Sequence, residues 1–235
     1  MKSERVCAVV GVGPGIGAAI ARRFAHAGYS VALLARSTQF AETLAGEIGN
    51  GARAYSCDVE NPQAVSGVFE RIAADLGPVE VVSYNAGPGV WGSVDDVGLD
   101  AMASAWRINT LGLFATARAV APAMKAAGRG VIVVTGATAS LRGGAGTAAF
   151  ASAKAAQRSL VQSMARHWWP QGIHVALIIV DGVVDLPRTR TAMPDKPDAY
   201  FVSPIDVAET AHWLAHQPRS AWSFEVEARP FGEKW

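Results

Sequence analysis

RVCAVVGVGPGIG, residues 5–17, is the stretch that decides the fold. Its first part, Arg5–Gly11, is a valine-rich run of strand length, and helical spacing of apolar residues follows over Gly15–Gly28. A strand, a glycine-rich turn and a helix in this order bring unpaired main-chain N–H groups and the positive end of the helix dipole to the turn. The stretch therefore predicts a phosphate-binding turn for a nucleotide, and the alternative is a tight turn with a purely structural role.

Outward from this turn, apolar runs of strand length alternate with helical patterns. Further strands are predicted at Ser30–Ala35, Ala52–Ser56, Val79–Tyr84, Val131–Thr135, Ile173–Val180 and Trp222–Val226. Further helices are predicted from the second strand to about Gly49 and at Pro62–Leu76, Asp100–Ala127, Ala148–Trp169 and Pro204–His216. Continuous apolar strands between helices indicate a parallel sheet with both faces covered, which right-handed crossovers make a single doubly wound, Rossmann-type α/β sheet.

The bulk composition limits the classes of partner. The 235 residues are half hydrophobic and carry a formal net charge of +1, so we expect one domain over residues 1–235 that binds neither nucleic acid nor a membrane. Without a signal-peptide pattern, the expected location is the cytoplasm. Cys7 and Cys57 lie in strand-like runs and are interpreted as buried thiols, with a disulfide as the alternative.

The end of the second strand predicts which dinucleotide is bound. A dinucleotide site needs a group for the adenosine ribose at this point, about twenty residues after the glycine turn, and an acidic residue there favours NAD. This chain has Arg36-Ser37 instead. Because a guanidinium can pair with the 2′-phosphate that NADP carries, the pair predicts NADP(H); the alternative is an ordinary surface arginine.

Taken in order, further motifs resemble those of the short-chain dehydrogenase/reductase family over nearly the whole chain. Cys57-Asp58-Val59 resembles the end of its third strand, and Tyr84-Asn85-Ala86-Gly87 resembles its Asn-Asn-Ala-Gly motif. Asn109 and Lys154 match two members of its catalytic tetrad, and Asp181-Gly182 falls on its Pro-Gly pair. The resemblance implies a set of cofactor-binding residues: Gly11, Gly13, Gly15, Ile16, Gly17, Arg36, Ser37, Asp58, Val59, Asn85, Ala86, Gly87, Lys154, Gly182 and Val184.

Two departures from the family pattern fall on its catalytic hydroxyls. Phe150 stands at the position of the tyrosine that gives a proton to the substrate oxygen, and Ala137, thirteen residues earlier, stands at the position of the serine that steadies this oxygen. A shift of one residue in the alignment would put Thr138 there instead. Losing a general acid costs roughly 10²–10⁴-fold in rate. Lys154 can still hold the nicotinamide ribose, as the resemblance implies, and Asn109 can still hold a water.

Four residues are candidates to replace the lost groups, each with a structural alternative. Tyr84, at the end of the fourth strand, is a candidate acid, and the alternative is packing. Thr138 and Ser140 are candidates for a polar contact to the substrate, and the alternative is turn chemistry. Asp181 is a candidate acid or partner of a cationic substrate, and the alternative is a capping or turn aspartate.

These observations favour an atypical NADP(H)-dependent oxidoreductase that transfers hydride to or from an activated carbonyl, an iminium or a polarised alkene. Two alternatives stay open, an NADP(H)-binding regulatory or scaffold protein without turnover and a non-redox lyase or isomerase on the same fold. The polar, proline-containing segment Asp181–Tyr200 is expected to cover a small-molecule substrate as a flap, with the loop Pro88–Asp96 beside it. The resemblance also implies a homodimer or homotetramer built on the two long helices.

Two histidines are candidate metal ligands. His212 and His216 are four positions apart on a predicted helix, which is the spacing of two metal ligands. No third ligand is evident in the sequence. We therefore expect a solvated helix face and no metal.

Overall fold

Seven parallel strands form the central sheet in the part of the chain that the computed structural model describes, residues 5–87 and 89–232. Pro88, the first residue of the expected pocket loop, lies outside the described residues. The strands are β1 (Val6–Val10), β2 (Ser30–Ala35), β3 (Arg53–Ser56), β4 (Val79–Tyr84), β5 (Gly130–Ala137), β6 (Ile173–Val180), β7 (Val183–Val184), β8 (Phe201–Val202) and β9 (Glu225–Ala228). Their order in the sheet is β3-β2-β1-β4-β5-β6-β9, while β7 and β8 pair with each other.

The helices lie on both faces of this sheet. They are α1 (Ile16–His26), α2 (Gln39–Ile48), α3 (Pro62–Asp75), α4 (Leu99–Trp106), α5 (Gly112–Ala127), α6 (Ala148–Trp168), α7 (Pro187–Ala192) and α8 (Pro204–Ala215). One hydrophobic core joins α3, α5 and α6 to the sheet, and the other joins α1, α2 and α8 to the opposite face. The predicted doubly wound α/β sheet is therefore confirmed.

Strand β1 shows why its sequence is apolar at every position. Val6, Ala8 and Val10 face the core beneath α3, α5 and α6, whereas Cys7 and Val9 face the core beneath α1 and α8. All five side chains are buried because successive residues of a strand point to opposite faces and both faces are covered. The same constraint explains the continuous apolar run of β6, which is buried along its whole length.

The long helix predicted over Asp100–Ala127 is interrupted in the structure. Helix α4 ends at Trp106, a π-helical segment spans Arg107–Leu111, and α5 starts at Gly112, whose N–H donates to the carbonyl of Arg107. Apolar periodicity does not report this one-residue insertion, since a π-helical turn keeps the same overall direction of the helix. The last strand is also displaced, from the predicted Trp222–Val226 to Glu225–Ala228.

Tyr84 fills the space beneath the π-helical segment. Its side chain is fully buried, and its hydroxyl donates to the carbonyl of Ile108 at 2.5 Å. The hydroxyl also lies against Gly112, where a Cβ atom would stand only 2.6 Å away. The interpretation of Tyr84 as a substitute acid is therefore wrong: the hydroxyl points into the core, where burial raises its pKa well above the usual range.

Both cysteines are free and buried, as predicted. The expected solvated face of α8 is wrong for His212, because its ring packs edge-on against Phe24 of α1 at 5.4 Å between centroids. Burial is the main cause that lowers the pKa of His212 to about 4. Among the described residues, no group of three histidine, cysteine, aspartate or glutamate side chains is arranged to hold a metal ion. Nor is any helix there long and apolar enough to cross a membrane.

We expect Tyr84→Phe to lower the free energy of unfolding by about 1 kcal/mol, because it removes a buried hydrogen bond without changing the packed volume. Urea denaturation monitored by tryptophan fluorescence measures this difference. Tyr200→Phe is the control, since no hydrogen bond engages the Tyr200 hydroxyl within the described residues, and it should leave the unfolding midpoint unchanged. Equal stability of Tyr84→Phe and wild type would contradict the structural role assigned to this hydroxyl.

Candidate active site

The sequence motifs meet at one edge of the sheet. In parallel strands all carboxyl ends lie on the same side, so the turns after β1, β2, β3, β4, β5 and β6 form one continuous rim. The chain passes from β1 to β2 and β3 in one direction and to β4, β5 and β6 in the other. The gap between the turns after β1 and β4 is therefore the switch point where α/β sheets bind ligands.

The glycine turn closes the centre of this rim through main-chain contacts. Gly11 has φ +91°, and a Cβ there would collide with Ala86, so only glycine permits the turns after β1 and β4 to approach this closely. The Asn85 side chain donates to the carbonyl of Gly11 at 2.9 Å and fixes this approach. A Cβ on Gly17 would stand 2.6 Å from the same carbonyl, which lets α1 begin directly behind the turn.

An anion can be accommodated in front of this turn. Helix α1 starts at Ile16 without a side-chain cap at Gly15, so its first N–H groups are not satisfied by a neighbouring side chain. A Cβ on Gly13 would meet no atom within 4 Å, which leaves open space beside them. Open space, uncapped N–H groups and the positive end of the helix dipole together favour a phosphate.

The residues predicted to surround the adenosine lie on the outer part of the rim. Arg36 and Ser37 follow β2 and are exposed, and no hydrogen bond or ion pair engages the Arg36 guanidinium among the described residues. Asp58 is also exposed and accepts the N–H of Glu60 at 3.0 Å. The side chain of Val59 is buried in the core under α5, so only its main chain can face a ligand.

Lys154, Asn109 and Gly87 form a small polar pocket on the other side of the switch point. The Lys154 amine is buried and donates to the carbonyl of Thr135 at 2.8 Å. Asn109 is fully buried; its Nδ2 donates to the carbonyl of Ala105, while its Oδ1 has no hydrogen-bond partner among the described residues. A Cβ on Gly87 would stand 2.7 Å from that oxygen and 3.3 Å from Lys154 Nζ, so both atoms lie close against Gly87, and a larger residue there would collide with Asn109.

The electrostatics of this pocket follow from burial. Desolvation disfavours a charged amine and lowers the pKa of Lys154 to about 7. Among the residues that the structure describes, no carboxylate compensates this cost. Near neutral pH the amine therefore exists in both its charged and its neutral form.

The positions that correspond to the catalytic hydroxyls of the family carry apolar side chains, Phe150 and Ala137. Phe150 is half-buried at the start of α6, and its ring lies 5.0 Å from the ring of Trp91, which is 65% exposed. Ala137 ends β5 and is partly exposed. Of these three side chains only Trp91 carries a hydrogen-bond donor, its indole N–H, and none of the three is an acid.

The comparisons with known proteins agree with this geometry. The sequence profile described as short chain dehydrogenase matches residues 5–196 of this chain. The chain belongs to the short-chain dehydrogenase family. The family consists of oxidoreductases that bind a nicotinamide cofactor.

Three similar proteins show the extent of the match. The 3-oxoacyl-(acyl-carrier-protein) reductase of Bos taurus is 30% identical over 220 residues, which cover 92% of each chain. The crystal structure of a short-chain dehydrogenase from Rhodopseudomonas palustris is 36% identical with a TM-score of 0.82 and covers 97% of this chain and 99% of that one. A metagenomic short-chain oxidoreductase in complex with NADP is 28% identical with a TM-score of 0.84 over 97% of both chains.

The residues present in this short-chain dehydrogenase fit a nicotinamide dinucleotide. The uncapped start of α1 and the open space at Gly13 suit its phosphates. Asn109 Oδ1, which has no hydrogen-bond partner among the described residues, and the Lys154 amine both lie against Gly87, and together they match ribose hydroxyls, which accept and donate hydrogen bonds. A buried acceptor without a partner is costly in a folded protein, so its retention here points to a ligand.

The hydroxyl groups near Ala137 are already engaged. Ser140 is buried and donates to the carbonyl of Ala137 at 2.7 Å, which is the turn role weighed as its alternative. Thr138 donates to the carboxylate of Asp181, which also pairs with Arg229. The interpretation of Asp181 as a free acid is therefore wrong, because its carboxylate is buried in an ion pair.

The flap carries its own secondary structure and contacts the glycine turn. Val184 lies in β7, where its carbonyl accepts the Thr189 hydroxyl, and Gly182 packs against Val202 and Pro230. The side chain of Leu186 reaches the glycine turn: its Cδ2 stands 2.7 Å from the Cβ position of Gly15. The flap predicted over Asp181–Tyr200 thus lies beside the phosphate-binding turn in this short-chain dehydrogenase.

Two functional neighbours escaped the sequence analysis. Gln157 is fully buried and contacts both Lys154 and Asn109. Arg229 follows the last strand and neutralises Asp181. The sequence does carry a signal for Gln157: it lies three residues after Lys154 in an alanine-rich helix, and residues at this spacing share one helix face. No sequence signal pointed to Arg229.

We expect the stability of the protein to depend on the charge of Lys154. The unfolded chain protonates this amine below about pH 10.5, the folded chain only below about 7, so the unfolded state binds more protons between these values. The free energy of unfolding of wild type therefore rises with pH in this window. The same energy of Lys154→Met lacks this contribution, so the wild-type value minus the variant value should rise by about 2 kcal/mol from about pH 7 to about pH 9.

Urea denaturation at several pH values measures this difference. Lys125→Met is the control, because an exposed amine keeps its hydration in both states and its curve should run parallel to that of wild type. Parallel curves for wild type and Lys154→Met would show that Lys154 stays charged in the folded protein.

Proposed function

We propose that the chain is an NADP(H)-dependent oxidoreductase that transfers hydride to or from an activated carbonyl, an iminium or a polarised alkene. The observation that carries the proposal is the contrast between the two halves of the site. The cofactor half keeps Lys154 and Asn109 close to Gly87, and Asn109 Oδ1 has no hydrogen-bond partner among the described residues. The substrate half presents Phe150 and Ala137, and the hydroxyls near it are engaged.

Arg36 supports NADP(H) as the cofactor. Its guanidinium is exposed at the end of β2 and has no partner among the described residues, so it is available to a 2′-phosphate. The absence of an acidic side chain at this position removes the repulsion that a phosphate would meet. The similar metagenomic oxidoreductase was solved with NADP, which points to the same cofactor.

Lys154 and Asn109 hold the nicotinamide half in this proposal. The amine would donate to ribose hydroxyls, and Asn109 Oδ1 would accept from them, which would satisfy the buried oxygen. The cofactor supplies or accepts the hydride when it is bound. Phe150 and Trp91 lie against each other, and their paired rings offer a face to an aromatic or lipophilic substrate.

The choice of substrate class follows from the missing proton donor. We align Phe150 with the catalytic tyrosine of the family and Ala137 with its serine. A ketone develops negative charge on oxygen during reduction, and without an acid and an oxyanion donor this step is slowed by roughly 10²–10⁴-fold or more. An iminium carries a positive charge before the transfer, so its reduction needs neither group.

A second candidate function is binding of NADP(H) without turnover, in a regulatory or scaffold protein. The same engaged hydroxyls favour it, because they leave the cofactor pocket intact and remove the usual chemistry. A lyase or isomerase without redox chemistry is a weaker candidate. Its second catalytic group would be Asp181, whose carboxylate is already paired with Arg229.

We also propose that the chain forms a homodimer or homotetramer through its two long helical regions, α4 with α5 and α6; the exposed apolar side chains that support this lie on α4 and α5. Several large apolar side chains are exposed there, Met102, Trp106 and Phe114 among them. Exposed apolar patches of this kind mark protein interfaces.

We expect Arg36→Ala to weaken NADPH binding by about 10- to 100-fold and to leave NADH binding nearly unchanged, since the lost interaction is a charged hydrogen bond to the 2′-phosphate. Energy transfer from tryptophan to the bound nicotinamide measures both affinities. Arg166→Ala, an exposed arginine on α6, is the control and should bind both cofactors like wild type. A wild-type preference for NADH would refute the role of Arg36.

We expect Phe150→Tyr with Ala137→Ser to raise the NADPH-dependent reduction of an unactivated ketone by about 10²-fold or more, because the pair restores the proton donor and the oxyanion contact. Reduction of a cyclic iminium should be measurable in wild type and change little in the variant. The same two substitutions combined with Lys154→Met are the control and should give no gain, since lysine lowers the pKa of the tyrosine.

The outcomes separate the two candidate functions. If wild type binds NADPH but oxidises it with none of the three substrate classes, the result supports the second candidate function, binding without turnover. A repaired variant without gain on the ketone would show that Phe150 and Ala137 do not occupy the proton-donor and oxyanion positions.

A further inference from the structure

Gln157 joins the two polar residues of the cofactor half. It lies on α6, one turn after Lys154, and its side chain is fully buried. Its Oε1 accepts from Lys154 Nζ at 3.0 Å, and its Nε2 donates to the main-chain carbonyl of Asn109 at 2.8 Å. The amide therefore bridges the amine and the π-helical segment Arg107–Leu111.

Only one orientation of this amide satisfies both neighbours. A lysine amine acts as a donor toward Gln157, and a carbonyl has only acceptor sites, so the oxygen of the amide faces Lys154 and its nitrogen faces Asn109. The π-helical segment contributes to this geometry, because its wider turn displaces carbonyls from the ordinary α-helical register. The carbonyl of Asn109 is thus captured by a side chain from a neighbouring helix.

We propose that Gln157 is a positioning residue for Lys154: its amide fixes the amine between the carbonyl of Thr135 and the main chain of Asn109. An ammonium group has three hydrogens. Two are taken by Thr135 and Gln157, and one is left on the side of Gly87, whose Cβ position lies 3.3 Å from Nζ and 2.7 Å from Asn109 Oδ1. The bridge thereby aims the remaining hydrogen of Lys154 at the site of the ligand.

The bridge is neutral, and so is the rest of the immediate surroundings. The charged and titratable groups on the packed elements are engaged elsewhere: Arg158 of α6 pairs with Glu225, Arg107 of the π-helical segment with Glu60, Asp181 after β6 with Arg229, and Tyr84 of β4 donates to Ile108. Burial alone sets the low pKa of Lys154. A glutamine supplies an acceptor without the negative charge that would hold the amine permanently protonated.

The test is a lysine titration of the protein without cofactor. The chain has five lysines, so ¹³C-labelled lysine side chains give few NMR signals, and the Lys154 signal is identified by its loss in Lys154→Met. Gln157→Leu removes an acceptor that favours the charged amine and should lower the Lys154 pKa by about one unit, a tenfold change in proton affinity. Gln157→Glu places a carboxylate beside the amine and should raise this pKa by about one unit or more.

Gln162→Leu on the same helix is the matched control, and Lys154 should titrate in it as in wild type. A Lys154 pKa that is the same in Gln157→Leu and wild type would overturn the proposal. If Gln157→Leu does not fold, the wild-type protein decides: the side-chain amide resonances of Gln157 should shift with the midpoint of Lys154, and amide resonances that ignore this midpoint would overturn it as well.

The meaning of the bridge for catalysis rests on the proposed NADP(H) function, whereas the titration does not. We expect Gln157→Leu to weaken NADPH binding by about tenfold, because the amine is less often charged and less well aimed. If the amide resonances of Gln157 follow the titration of Lys154 but the protein binds no NADPH, the proposed function is refuted and the positioning role stays in place.

Discussion

The parallel register of the strands is the constraint on which the site depends. It brings the turns after six strands to one edge, although the residues involved are spread from Gly11 to Asp181. At the centre of this edge the main chains at Gly11 and Ala86 touch, and Asn85 fixes their approach with a hydrogen bond to Gly11. The position of the first helix, and with it that of the glycine turn, follows from this contact.

The buried amine of Lys154 organises the polar residues on the other side of the site. Lys154 lies among neutral groups, and its hydrogens need acceptors because a buried donor without one is costly. Thr135 supplies a carbonyl from β5, and Gln157 supplies an amide oxygen that is itself tied to Asn109. The π-helical segment, β5 and α6 are thus linked through two side chains, Lys154 and Gln157, that bond to each other.

The sequence predicted the sheet and the rim, and it failed where the direction of a side chain decided the outcome. Apolar runs and glycines report strands and turns directly, so the edges of the site around Gly11, Arg36 and Lys154 lie where the motifs predicted. Tyr84 ends its strand as expected, yet its hydroxyl points inward because alternation along β4 sends it under Gly112. Asp181 is at the predicted strand end, but its partner Arg229 lies 48 positions away, beyond the reach of local patterns. The π-helical segment leaves no trace in apolar spacing.

The two halves of the site make different electrostatic demands on a substrate. A pocket that steadies a developing oxyanion needs donors aimed at it, and in this chain the hydroxyls of Thr138 and Ser140 are directed at Asp181 and at a main-chain carbonyl. Lys154 gives two of its hydrogens to Thr135 and Gln157, and burial lowers its pKa to about 7. Such a pocket neither stabilises an anion strongly nor repels a cation strongly. Of the three substrate classes we therefore propose first the one whose charge is positive before hydride transfer and neutral after it, which is the iminium.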